Sequence, residues 1–259
     1  MFLLKASDIS SPPQRIISLV PSQTELLHYL ELEKETIAIT KFCVHPNEWF
    51  RNKTRIGGTK DLNIEKIISL QPDLIIANKE ENVKDQIDSL AEFFPVWLTD
   101  VNTFDEALKM ISDLGSLTHT SDKAHQLIES ITRNFLSLPA NRKVPAAYLI
   151  WKDPYMAAGG DTFISDMMNK AGFNNVFADL KRYPNVTLQD IVNSRCEIIL
   201  LSSEPFPFKE QHAEDFRNAV KNVKVVLTDG EMFSWYGSRM LEAPGYIERL
   251  YNEIRIQTV

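Results

Sequence analysis

Ile64-Glu65-Lys66-Ile67-Ile68, then Pro72-Asp73-Leu74-Ile75-Ile76, is a phrase that the chain uses twice. The second copy comes 124 residues later as Leu188-Gln189-Asp190-Ile191-Val192, then Cys196-Glu197-Ile198-Ile199-Leu200. Each reads as a short amphipathic helix, a tight polar break and an apolar strand. A helix-then-strand unit repeated at one long offset predicts two similar α/β lobes. Two lobes in one chain leave a cleft, and clefts between domains are favoured ligand sites.

The surroundings of each copy extend the same pattern. Residues 15–20 are a β-rich apolar run stopped by Pro21, and Thr24-Glu25-Leu26-Leu27 then starts a helix. Strands are expected at 36–40, 74–77 and 95–98, with a helix at 83–93. Around the second copy, strands are expected at 146–150, 198–201 and 224–227, with helices at 163–171 and 241–254. This alternation predicts mainly parallel sheets. Between the two sets, residues 104–138 hold no proline and one glycine, Gly115, with apolar residues at helical spacing. The run is either one long helix, about 50 Å if unbroken, or two helices with a break near 118–121. The expected organisation is an N-terminal lobe at 1–102, a linking helix at 103–139 and a C-terminal lobe at 140–259.

Composition excludes several function classes. A net charge of -7 over 259 residues disfavours a general nucleic-acid or anionic-membrane binder. Nine glycines speak against a Gly-rich nucleotide site. The two cysteines, Cys43 and Cys196, have no zinc spacing, and whether they pair is left open. No nucleophile elbow, zinc-protease, P-loop or dinucleotide motif occurs in its proper context, so an enzyme is disfavoured and no catalytic residue is assigned. The apolar run Phe2-Leu3-Leu4 is too short for a signal peptide, and nothing downstream is long enough to span a bilayer. Two expectations follow for localisation: a cytoplasmic chain, or one whose leader has been removed.

Loops after the carboxyl ends of parallel strands line ligand crevices, and four such loops carry the candidate residues. Phe42-Cys43-Val44-His45-Pro46 offers an aromatic face, a thiol and an imidazole able to ligate a metal. Its plainer reading is a buried Cys and a turn His. Asn78-Lys79-Glu80-Glu81-Asn82 offers Glu80 and Glu81, or simply an acidic helix start. Trp151 and Tyr155 suit a large planar ligand, and Gly159-Gly160 ahead of a helix gives a weak anion signal. Asp229 to Arg239 places Phe233, Trp235 and Tyr236 beside acids and Arg239, which suits either ligand contact or local packing. Of five histidines only His45 falls in such a loop, which disfavours a bare-ion site.

Arg15-Ile16-Ile17-Ser18-Leu19-Val20-Pro21-Ser22-Gln23-Thr24-Glu25-Leu26 resembles the opening of the cobalamin-binding members of the helical-backbone (class III) substrate-binding proteins of ABC importers. The stretches Asn63-Ile64-Glu65-Lys66-Ile67, Pro72-Asp73-Leu74-Ile75-Ile76-Ala77 and Leu227-Thr228-Asp229, with Ser238 and Arg239, resemble the same family in the same order. The resemblance implies two Rossmann-like lobes joined by one long backbone helix, with the ligand in the cleft. It implies capture of cobalamin or another corrinoid, with no intrinsic cofactor. The alternatives are haem or a ferric siderophore, or a cytoplasmic corrinoid or metal-cofactor sensor or chaperone. Phe42 and Tyr183 fall where relatives carry ligand-facing aromatics, and His45 is the expected axial ligand to the metal of a bound complex. The implied partners are permease subunits, with a monomeric, periplasmic or lipid-anchored receptor. Permease arginines would meet Glu65 in the first lobe. In the second they would meet Gln189, with Asp190 beside it. Gln189 departs from the family's glutamate, and a neutral amide makes about half the hydrogen-bond strength of a carboxylate.

Overall fold

The computed structural model describes residues 2–3, 8–9, 11–138 and 143–256. The boundary expected at 139/140 and residue 4 of the N-terminal run lie outside these residues. The chain divides into two compact units. The first holds Met1–Val101, Asp105–Glu129 and Tyr236–Arg239, and the second holds Asn102–Phe104, Ser130–Trp235 and Met240–Val259.

In the first unit, β1 (Phe2–Leu3), β2 (Ile16–Ser18), α1 (Pro21–Tyr29), β3 (Thr36–Ile39), α2 (Asn47–Asn52) and β4 (Thr54–Arg55) come first. The first copy of the phrase follows as α3 (Ile64–Leu70) and β5 (Leu74–Asn78), then α4 (Lys84–Ala91) and β6 (Val96–Thr99). The six strands form one sheet in the order β1-β6-β5-β2-β3-β4. Every pairing in it is parallel. All five residues of β5 are buried, which explains its unbroken apolar sequence.

Residues 104–138 adopt the two-helix alternative, α5 (Phe104–Leu117) and α6 (Ser121–Leu136). The stop between them has a physical cause. His119 takes a left-handed φ of 59°, and the Thr120 N–H donates to the Gly115 carbonyl at 2.8 Å. That is a Schellman end, which satisfies the last free carbonyls of α5. Gly115 also lets α6 approach, since a Cβ there would lie 2.4 Å from that of Ala124.

The second unit continues with β7 (Val144–Trp151), β8 (Tyr155–Ala157), α7 (Phe163–Lys170), β9 (Phe173–Asn175) and β10 (Asn185–Val186). The second copy is α8 (Leu188–Ser194) and β11 (Ile198–Ser202), followed by α9 (Glu210–Ala219), β12 (Lys224–Thr228), α10 (Glu231–Ser234) and α11 (Ala243–Ile256). This sheet runs β10-β8-β7-β11-β12, with β9 also on β7. It is mixed: β8 is antiparallel to both neighbours, and the other pairings are parallel.

The two copies match down to backbone conformation. Asn63 and Thr187 cap their helices by accepting from Lys66 N and Asp190 N. Gln71 and Arg195 end them in the left-handed region, at φ 47° and 54°. Ile67 and Ile191 are the single fully buried residues of the two helices, each contributing about 1.5–3 kcal/mol of burial.

Candidate ligand-binding site

In the first unit, the loops after β2, β3 and β5 meet at the carboxyl end of the sheet, together with residues 236–239. The Tyr236 phenol is fully buried, and burial pushes its ionisation well up. Gln23, Ser22 and Thr99 hydrogen-bond it, and the Glu81 charge opposes its ionisation further. Gln23 ties this group together by donating to Thr99 Oγ1 at 2.6 Å. Gly237 follows at φ 110°, a conformation that favours glycine, and passes close over Ser22 and Leu26. Arg239 then grips Glu25 with both forks, Nε to Oε2 at 3.1 Å and Nη2 to Oε1 at 2.6 Å.

The β5–α4 loop is built by two asparagines. Asn78 Oδ1 accepts from the Glu80 and Glu81 amides at 2.8 and 3.2 Å. Asn82 Oδ1 accepts from Asn78 N at 2.9 Å. The Glu81 carboxyl is pushed up by burial, and the Lys60 charge pulls it back in part. Lys60 also donates to the Glu80 carbonyl. In the β3 loop, Phe42 is 51% exposed and Lys41 lies over its ring at 5.2 Å. His45 is half-buried in the same loop.

In the second unit, Trp151 ends β7 with 39% of its surface exposed. Its indole meets Phe206 edge-on at 5.8 Å, and Phe206 meets Phe208 at 4.8 Å. Sequence reading passed over Phe206 and Phe208. Their signal was present as Pro205-Phe206-Pro207-Phe208, two aromatics between prolines at the end of a strand. Tyr155 is half-buried against Phe216 at 4.9 Å, and Tyr183 is half-buried with the Arg182 guanidinium 5.9 Å from its ring.

Several candidate residues have structural partners instead of open faces. Cys43 is fully buried, with Thr24 and Thr40 hydroxyls 3.1 and 3.2 Å from its sulfur. Burial pushes the pKa of its thiol up, and both Cys43 and Cys196 are free thiols. Phe233 is core, 5.3 Å from the Tyr148 ring. Trp235 is buried and donates its indole N–H to Glu204 at 3.0 Å. Arg239 is bonded to Glu25 through both forks. The Gly159 and Gly160 amides donate to Arg182 and Leu180 carbonyls, so they do not cradle an anion. At the helices of the repeat, Glu65 is exposed. Gln189 donates to Asn193 at 2.9 Å. Asp190 closes the capping box on Thr187, whose hydroxyl and amide hold its carboxyl below the usual range.

Phe42, His45, Glu80 and Glu81 therefore belong to strand-end loops of the first unit, which also holds Tyr236, and Trp151, Tyr155 and Tyr183 belong to the second. Among the described residues, no helix is long and apolar enough to cross a membrane.

The chain is 26% identical over 249 residues to an uncharacterized ABC transporter substrate-binding lipoprotein of Bacillus subtilis, covering 90% of this chain and 78% of that protein. It is 24% identical to a vitamin B12-binding protein of Vibrio parahaemolyticus, covering 78% and 75%. Among solved structures, the periplasmic vitamin B12-binding protein of Vibrio cholerae superposes with a TM-score of 0.77 at 23% identity, over 95% of this chain and 98% of the other. A candidate iron-binding (periplasmic solute-binding) protein of Staphylococcus epidermidis gives 0.77 at 26%, over 94% and 99%. The family model described as periplasmic binding protein matches residues 16–232. With that match spanning both copies of the repeat and the strand-end loops, the chain belongs to the periplasmic binding protein family.

Proposed function

We propose that this protein is the substrate-binding component of an ABC-type importer and that its ligand is a metal complex, cobalamin or another corrinoid. Family membership and the vitamin B12-binding relatives support the importer role. The observation that carries the ligand class is the Trp151–Phe206 pair. A partly exposed indole braced edge-on by a second ring at a strand end offers a flat apolar surface to a macrocycle. A metal already wrapped by a macrocycle needs only one side chain from the protein, and His45 supplies it. The ligand is cargo, so the protein works without a cofactor of its own and without catalysis. It acts as a monomer, periplasmic or lipid-anchored like its relatives, and delivers to permease subunits. An iron complex is the second reading, favoured by the likeness to the Staphylococcus epidermidis protein.

Thermal shift with cyanocobalamin, haemin and ferrichrome tests this. A ligand at a hundred times its Kd stabilises by about 2.7 kcal/mol. The expected result is a shift with cyanocobalamin and, for Trp151→Ala, an affinity about ten-fold lower, near the upper end for aromatic contacts. A shift with haemin or ferrichrome alone overturns the corrinoid assignment in favour of iron.

A further inference from the structure

A hollow of about 500 Å³ borders the β5–α4 loop within the first unit. Phe2, Ile87 and Leu98 form its apolar walls, Asn78 and Asn82 its back, and Lys79, Lys84 and Asp88 its rim. Its volume falls in the range of about 300–1,000 Å³ common to small-molecule sites.

The polar groups around it are already committed. Asn78 Nδ2 donates to the Thr99 carbonyl and hydroxyl, both at 3.2 Å. Asn82 Nδ2 donates to the Thr59 carbonyl at 3.1 Å. Lys84 is paired with Asp88, and Lys79 with Asp100 at 2.7 Å. Among the described residues, the rim cations are thus each matched by a carboxylate, and both asparagine amides have carbonyl or hydroxyl partners. A hollow with balanced charges and satisfied amides gains most from a neutral apolar occupant, since a charged one would lose hydration without a partner.

The wall formed by Phe2 can adapt. Phe2 is 41% exposed and stands on a two-residue edge strand, where Phe2 pairs with Val96 and Leu3 with Trp97. Short edge strands open at low cost. The back wall is the pair of asparagines that shapes the loop carrying Glu80 and Glu81, so an occupant would sit against the scaffold of the candidate site without entering it.

We infer that this hollow is a separate binding site for a small, uncharged, mainly apolar molecule of one or two fused-ring size. The test uses the full chain and the neutral fluorophore N-phenyl-1-naphthylamine. The expected result is a saturable, one-to-one rise in fluorescence. Ile87→Trp, which fills the hollow, and Phe2→Asp, which puts a charge on its exposed wall, should each weaken binding at least ten-fold. Phe93→Ala, on a ring 61% exposed and not among the lining residues, should leave it unchanged. Phe2→Asp keeps the test decisive if Ile87→Trp does not fold. Absence of saturation, or binding that Phe2→Asp leaves intact, overturns the inference. Competition by cyanocobalamin would overturn the separateness of the site while supporting corrinoid binding. Fluorophore binding without any corrinoid binding would support this site and count against the corrinoid reading alone.

Discussion

Arg239 gives both forks of its guanidinium to Glu25, 214 positions away in sequence, with the two side chains only 10% and 20% exposed. Removing one member of such a pair strands the other charge. Arg239→Ala should therefore cost about 2–3 kcal/mol in urea unfolding, somewhat under the full cost for deeply buried pairs. Adding Glu25→Gln should recover part of the loss, and a single-variant cost under about 0.5 kcal/mol would show that the pair holds nothing. Glu81 presents the opposite case, a carboxylate that the fold disfavours. Its ionisation lies above the ordinary value of 4.5, first because of burial and despite Lys60. Between the ordinary and the raised value the folded state binds more proton than the unfolded state, so stability falls as pH rises through that window. Glu81→Gln carries no such charge. It should be more stable than the parent above the window, with the gain fading as pH falls below the ordinary value of 4.5. A melting-temperature difference that stays constant from acid to neutral pH would refute this account.

At the scale of elements, the turn between α5 and α6 rests on one glycine. Gly115→Ala would ordinarily favour a helix by about 1 kcal/mol. Here the new methyl would stand 2.4 Å from the Ala124 Cβ, so overpacking of about 1–3 kcal/mol should win. The expected outcome is a lower melting temperature for Gly115→Ala and recovery when Ala124→Gly is added. Stabilisation by Gly115→Ala alone would mean that the helices part freely. Elements with strong periodicity were legible in the sequence: β5, β6, β11, β12 and the helices of the repeat fall within a residue or two of expectation. Other elements were not. In α9, only His212, Ala213 and Phe216 turn inward among polar residues, which is too thin a stripe to read. The strands β8 and β10 run antiparallel over two or three residues, too short to show alternation. At the candidate site, strand ends could be located from sequence, but the partners of the side chains could not. Nothing local announces that Arg239 will find Glu25, or that Trp235 will find Glu204.

At the scale of the whole molecule, the repeat makes two equivalent helices with different outward chemistry. On α3, Glu65 presents an exposed carboxylate. On α8 the equivalent Gln189 is neutral and engaged with Asn193, while the carboxylate of Asp190 is held by Thr187 in the capping box. Asp190 engages Thr187 through Oδ2 alone, at 2.8 and 2.7 Å, so an arginine that met it would share a carboxylate already holding the helix cap. If a permease reads these helices through arginines, the two units contribute unequally to docking. Hydrogen bonds to charged groups contribute about 1.5–3 kcal/mol, so Glu65→Gln should weaken association about ten-fold or more with the cognate permease in lipid nanodiscs. It should also flatten the dependence on salt, since an exposed ion pair is screened as ionic strength rises. Gln189→Glu should act in reverse, tightening the complex and steepening the salt dependence. Surface immobilisation of the nanodisc and titration of each variant at low and at physiological salt would measure both effects. If neither substitution shifts the affinity, docking does not run through the helices of the repeat, and their difference in charge carries no function in transport.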